Sequence, residues 1–225
     1  LRNIKIFSTL LFHVKPQKPF EEYIAPFFEN FDEYKDMVDF VDVFADEGAF
    51  NFEESERILS FYTERGIKCR IHADEFKPFG SLLAGKYGCI SADHLLNPSD
   101  EGLKLMSERG VFAVLCPTTG FFLRKGFAPY DKIRSYGLEI ALASDHNPGT
   151  SPFLNPFITL FLSIFSLGMK PKEAFRSFTY VSAKSLGLKD YGKIDIGYKF
   201  SAFLMDYTPE EWAYKGDLKP KIVRV

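Results

Sequence analysis

Apolar and polar positions in residues 51–145 repeat one cadence: a helical stretch with one apolar face, a glycine, a short apolar run, a polar stop. Asn51 with Glu54 three residues on is a helix N-cap pattern, and Ile58, Leu59 and Tyr62 supply the apolar face. Gly66 closes that helix, as glycine commonly does, and a strand over 68–74 follows. A short helix around Leu82 and Leu83 ends at Gly88, before a strand over 89–94. The helix after Pro98 and Ser99 turns Leu103 and Met106 inward and ends at Gly110; the next strand, 111–116, is stopped by Pro117. A helix over 129–136 ends at Gly137, and the strand over 138–145 runs into a turn forced by Pro148 and Gly149. Two earlier apolar runs, 3–11 and 39–45, extend the series.

Strands alternating with helices predict a parallel sheet with right-handed crossovers. Such nearly apolar strands suit either a doubly wound sheet or a (β/α)8 barrel. The histidines favour the barrel, because His13, His72, His94 and His146 all fall at or just past the carboxyl end of an expected strand. A barrel gathers those ends on one catalytic face, whereas an open sheet spreads them along an edge. The expected fold is therefore α/β: a partial TIM-type (β/α)8 barrel over residues 1–188, with about six of the eight strands. Residues 153–187 read as helical. Beyond Leu188 the short apolar runs 192–197, 200–205 and 221–225 predict a small β appendage over 189–225.

With 225 residues, 46% of them hydrophobic, the chain can bury a full core. Its 28 basic and 30 acidic residues give a net charge of −2, a balance that suggests neither a nucleic-acid nor a membrane-surface partner. Cys69, Cys89 and Cys116 are odd in number and scattered among strands without metal-ligand spacing. They read as core thiols of a reducing compartment, hence a cytoplasmic protein. The first residues lack the long apolar region of a signal peptide. The apolar stretch 153–168 falls short of the ~20 residues a bilayer needs and contains Asn155 and Pro156. The chain starts at Leu1, which reads as a fragment or a processed chain.

Chemistry enters at the strand ends. Asp145, His146 and Asn147 stand beside the Pro-Gly turn, where they suit either a metal or polar substrate or an ordinary turn, which Asp and Asn favour. His72 falls on a strand face where a neutral imidazole could bind a metal, and Asp145 could give a carboxylate to the same ion. Two ligands are fewer than the three that catalytic zinc normally takes from protein, which leaves His94, Glu75 or His13 to complete the set.

Three runs carry a resemblance: Ile-His-Ala-Asp-Glu at 71–75, Ser-Ala-Asp-His-Leu at 91–95 and Asp-His-Asn-Pro-Gly-Thr-Ser-Pro at 145–152. In order and spacing they resemble the imidazolonepropionase family of the amidohydrolase superfamily, and the stretch ending at His13 is similar to a substrate-contacting segment there. The resemblance implies a hydrolase that opens the cyclic amide of 4-imidazolone-5-propanoate to N-formimidoyl-L-glutamate in histidine degradation. It implies one divalent ion, zinc or iron, held by His72 and Asp145, with Glu75 and His94 as the catalytic pair. His13, Glu75, Asn147, Gly149 and Thr150 would bind substrate. A homodimer stays open. The family's His-x-His pair and first two barrel strands have no counterpart in the chain, which is expected to be the C-terminal portion of a member and a poor enzyme by itself. Phe200 and Ser201 replace the superfamily's usual Ala-Asp. The alternatives are another cyclic-amide or deaminase-type amidohydrolase, or a non-catalytic barrel fragment.

Overall fold

The computed structural model describes residues 5–215 and 221–224. The chain divides into two compact units, residues 1–111 and 112–225.

In the first unit, strands β1 (Thr9–Phe12), β2 (Phe40–Ala45), β3 (Cys69–Ala73) and β4 (Ser91–His94) pair in chain order, each parallel to the next. Helices Phe20–Glu29, Phe52–Glu64, Gly80–Tyr87 and Asp100–Arg109 connect and flank them. The helix at Phe52 starts where the sequence places it: Asn51 accepts from the Glu54 backbone N–H and the Glu54 carboxylate accepts from the Asn51 N–H, a complete capping box. Gly88 and Gly110, with φ of 60° and 69°, end their helices in the left-handed conformation that glycine adopts without a steric penalty. Ile58, Leu59, Tyr62, Ile71, Leu83, Leu103 and Met106 are fully buried between strands and helices.

Side chains in β3 alternate. Cys69, Ile71 and Ala73 are buried, whereas Arg70 and His72 face the other way and are half-buried. Register carries that second face across the sheet, since Asp42 pairs with Arg70 and His72 pairs with Asp93. One face of these apolar-looking strands is therefore a polar layer.

The second unit holds the parallel pair β5 (Phe112–Leu115) and β6 (Ile140–Leu142). Its core joins Val114, Cys116, Ala141 and Val181. Residues beyond 188 add the antiparallel pair β7 (Ser201–Leu204) and β8 (Lys221–Arg224) and a helix, Pro209–Lys215. Trp212 of that helix is fully buried, with its ring 5.3 Å from Phe175 and 6.3 Å from Phe157. The antiparallel pair thus sits in a structure that also includes helices.

The α/β fold with six parallel strands is as expected, and the differences have local causes. The first strand begins at Thr9, not at residue 3, because the Ser8 carbonyl already accepts from both Asp39 and Phe40 and the regular ladder starts after it; residues 3 and 4 lie outside the described residues. The strand expected over 138–145 stops at Leu142, since the Ser144 carbonyl accepts from the hydroxyls of Thr118 and Ser151 and Asp145 has a φ of 47°. No strand forms over 192–197: Gly192 and Gly197 have φ of 90° and 84°, and the Asp195 carboxylate accepts from the Ile196 N–H. Residues 153–187 make the helix Phe157–Phe165 and the helix Pro171–Arg176, which continues through a π-helical turn into Ser182–Ser185. Pro117 does more than stop a strand, because it opens the helix Pro117–Leu123 at the position where a missing N–H costs nothing. Helix Phe20–Glu29 contains Pro26 and has no counterpart in the sequence reading. Among the described residues no helix is long and apolar enough to cross a membrane.

Candidate metal and catalytic site

The first unit brings together four of the residues singled out in the sequence. The His72 ring centroid lies 5.1 Å from that of His94 and 6.3 Å from that of His13, which stacks on Phe44 at 5.4 Å. The Glu75 carboxylate stands 3.5 Å from His94 Nε2. Backbone conformation at the strand ends explains this convergence. His94 is the last residue of β4 and has a φ of 73°, which takes it out of the strand's alternation. Asp74 follows β3 with a φ of 57°, so the chain turns there and brings Glu75 to the neighbouring strand end.

Two carboxylates hold that turn. Asp74, fully buried, accepts from the Ser81 N–H at 3.1 Å; burial pushes its carboxyl up to about 6, against the pull of that hydrogen bond. Asp46, at the end of β2 and also fully buried, accepts from the N–H groups of Phe76 at 2.8 Å and Lys77 at 3.0 Å. Asn97 donates to the Glu75 carbonyl at 2.8 Å. The Glu75 backbone is thus fixed from both sides.

Electrostatics assign His94 a neutral state. Burial, and then the nearby His72, hold it well below the usual imidazole range. His72 has a different environment, because its Nδ1 lies 3.1 Å from the Asp42 carboxylate. Below it Arg70 donates to Ser91 at 3.0 Å, and Ser91 donates to Asp93 at 2.7 Å. Burial raises the Asp93 carboxyl, while Arg70 and His72 pull it down.

In the second unit, Asp145 accepts from the Thr119 hydroxyl at 2.6 Å. Asn147 is the hub of the following turn: its Oδ1 accepts from the N–H groups of Gly149 at 2.9 Å and Thr150 at 2.7 Å, and its Nδ2 donates to the Asp145 carbonyl at 2.7 Å. This is the Asx-turn chemistry that the residue favours, and it fixes the loop that carries Gly149 and Thr150. His146 is exposed, with Nδ1 3.2 Å from the Ser151 carbonyl.

Imidazole nitrogens such as those of His72 and His94 are borderline donors of the kind that suit zinc or iron. Sequence reasoning missed Asp42, Asp46 and Thr119. Asp42 had a signal, being the one charged residue within the apolar run of β2. Asp46 and Thr119 act through contacts distant in sequence and had none.

Parallel strands with histidines and carboxylates at their carboxyl ends are the arrangement in which a TIM-type barrel gathers an active site. The chain belongs to the amidohydrolase family, whose model matches residues 35–225. It is 40% identical over 172 residues to the imidazolonepropionase of Geobacillus sp. (strain WCH70), covering 76% of this chain and 41% of that protein. It spans less than half, 36–47%, of the length of the curated relatives it matches. Among solved structures, a guanine deaminase from C. acetobutylicum with bound guanine shares the fold at a TM-score of 0.65 and 19% identity, over 95% of this chain and 62% of that one. An adenosine deaminase from Xanthomonas campestris with bound zinc does so at 0.64 and 18%, over 85% and 51%. At those identities the likeness is one of fold, and the fold is a partial TIM-type barrel.

Proposed function

We propose that the protein is an imidazolonepropionase-type hydrolase that opens the ring amide of 4-imidazolone-5-propanoate to N-formimidoyl-L-glutamate. The observation that carries this reading is the cluster of His72, His94 and Glu75 at adjacent strand ends, in a chain 36–42% identical to imidazolonepropionases.

A ring amide is a poor electrophile and water a poor nucleophile. His72 and Asp145 would hold a divalent ion, which supplies a water activated by a lowered pKa. His94, kept neutral by burial, donates a hydrogen bond to the carbonyl oxygen as it gains charge, an interaction worth roughly 3 kcal/mol. Glu75 takes a proton from the attacking water and delivers it to the leaving ring nitrogen as the carbon–nitrogen bond breaks. His13 would hold the substrate, and Asn147 would shape the turn from which Gly149 and Thr150 contact it. Supporting a cytoplasmic setting, all three cysteines are buried free thiols. A deaminase-type reaction would use the same pair of residues, but the deaminase likeness extends to fold alone.

The test is ring opening of 4-imidazolone-5-propanoate by the metal-loaded protein in a form that includes the family's first two barrel strands, followed by loss of the substrate's ultraviolet absorbance. Turnover abolished by chelation and restored by zinc or iron is expected of that form, and little turnover of residues 1–225 alone. No turnover by the metal-loaded form with those strands, or turnover indifferent to chelation, overturns the reading.

A further inference from the structure

We propose that Asp42 is a positioning residue that fixes the tautomer and the ring plane of His72. This deepens the functional reading and rests on it, since His72 is there a metal ligand. Asp42 is the one charged residue in the strand Phe40–Ala45 and is 5% exposed. A buried carboxylate is costly unless it is paired and hydrogen-bonded. Its recorded side-chain partner is His72 on the adjacent strand, with both carboxylate oxygens 3.1 Å from Nδ1. Nδ1–H is therefore the donor, and the lone pair of the neutral ring lies on Nε2. A carboxylate behind a ligating imidazole both selects the nitrogen that binds the ion and strengthens it as a donor.

Asp42 is placed rigidly for this role. It pairs in register with Arg70, whose guanidinium sits 5.4 Å over the Phe40 ring and donates to Ser91. Ser91 in turn donates to Asp93, which pairs in register with His72. Arg70, Asp93 and Asp42 thus form a charged layer beneath the His72 ring, with the guanidinium offsetting carboxylate charge. His13 and His94 also approach the same ring, at centroid distances of 6.3 Å and 5.1 Å.

The experiment measures zinc affinity by chelator competition, with zinc alone as the probe, for the native protein and for Asp42→Ala, Asp42→Asn and His72→Ala. In parallel, imidazole 15N shifts of His72 are read in the metal-free native protein and in both Asp42 variants. Expected are a proton on Nδ1 of His72, a zinc affinity lowered about 10–100-fold in Asp42→Ala, and a smaller loss in Asp42→Asn, whose amide oxygen still accepts. A merely structural residue would leave the tautomer unmoved and would not order the two variants in this way. Should Asp42→Ala fail to fold, the tautomer and the near-isosteric Asp42→Asn still decide. A proton on Nε2, or native zinc affinity in both Asp42 variants while His72→Ala loses zinc, overturns the proposal for Asp42. Native affinity in His72→Ala instead overturns the metal-ligand reading beneath it.

Discussion

His72 and His94 have rings 5.1 Å apart, yet their surroundings differ. His72 has a carboxylate behind it, whereas His94 is buried, neutral and beside Glu75. His72→Ala should therefore lose zinc, while His94→Ala should keep it and lose roughly 100-fold in kcat; metal analysis and steady-state kinetics on both variants check this, and the reverse pattern would exchange the roles. Asp74 gives a pH prediction. Its carboxyl is raised in the folded protein to about 6 from 3.8, so the folded state holds that proton more tightly. The stability it contributes is present below pH ~4 and lost as pH rises through ~6, up to about 3 kcal/mol. Asp74→Asn should flatten the decline in urea stability of metal-free protein between pH 4 and 7. Residue identities were readable for His72, His94 and Glu75 because a strand's end is visible in its pattern. Thr119 was not, since its value lies in reaching Asp145 across 26 positions.

Elements were more legible than their limits. Helix starts and stops follow local chemistry, such as the capping box at Asn51 and the left-handed glycines, so the cadence over 51–142 survives, with the helix Pro117–Leu123 added and each strand shorter than expected. Strand ends shift where side chains claim backbone groups, as Thr118 and Ser151 claim the Ser144 carbonyl. Helix Pro209–Lys215 escaped notice because its anchor, Trp212, is buried by distant aromatic rings and not by neighbours in sequence. Close helix packing also has a sequence basis. A Cβ at Gly85 would meet the Leu105 backbone carbon at 2.8 Å, so helices Gly80–Tyr87 and Asp100–Arg109 depend on that glycine. Gly85→Ala should gain about 1 kcal/mol of helix propensity but lose about 1–3 kcal/mol to overpacking. A lowered urea midpoint with an unchanged m value is expected; a raised midpoint would show that the helices can part without cost.

At the scale of the molecule, repetition of one strand–helix unit told the fold class, and three short motifs told the family. Neither could reveal the polar layer inside the sheet, because Asp42, Arg70 and Asp93 look like isolated charges until register lines them up. Metal binding should be visible in overall stability. Zinc at about 100 times its Kd should stabilise the protein by roughly 2.7 kcal/mol, read as a rise in Tm. His72→Ala and Asp145→Ala should each abolish that rise, whereas Asn147→Ala should lower Tm with and without zinc because it dismantles the turn. A zinc-dependent rise that survives in Asp145→Ala would remove Asp145 from the ligand set.

The fixed backbone of Glu75 has a kinetic consequence. Its peptide groups are clamped through Phe76, Lys77 and the Glu75 carbonyl, while its carboxylate rides on a short flexible stem. Such a group is a pendulum on an immobile pivot: its carboxylate, 10% exposed and 3.5 Å from His94, has only a short arc about a fixed backbone. Loosening the pivot with Asp46→Ala would convert the pendulum into a wandering tether, and under the role proposed for Glu75 would slow proton delivery.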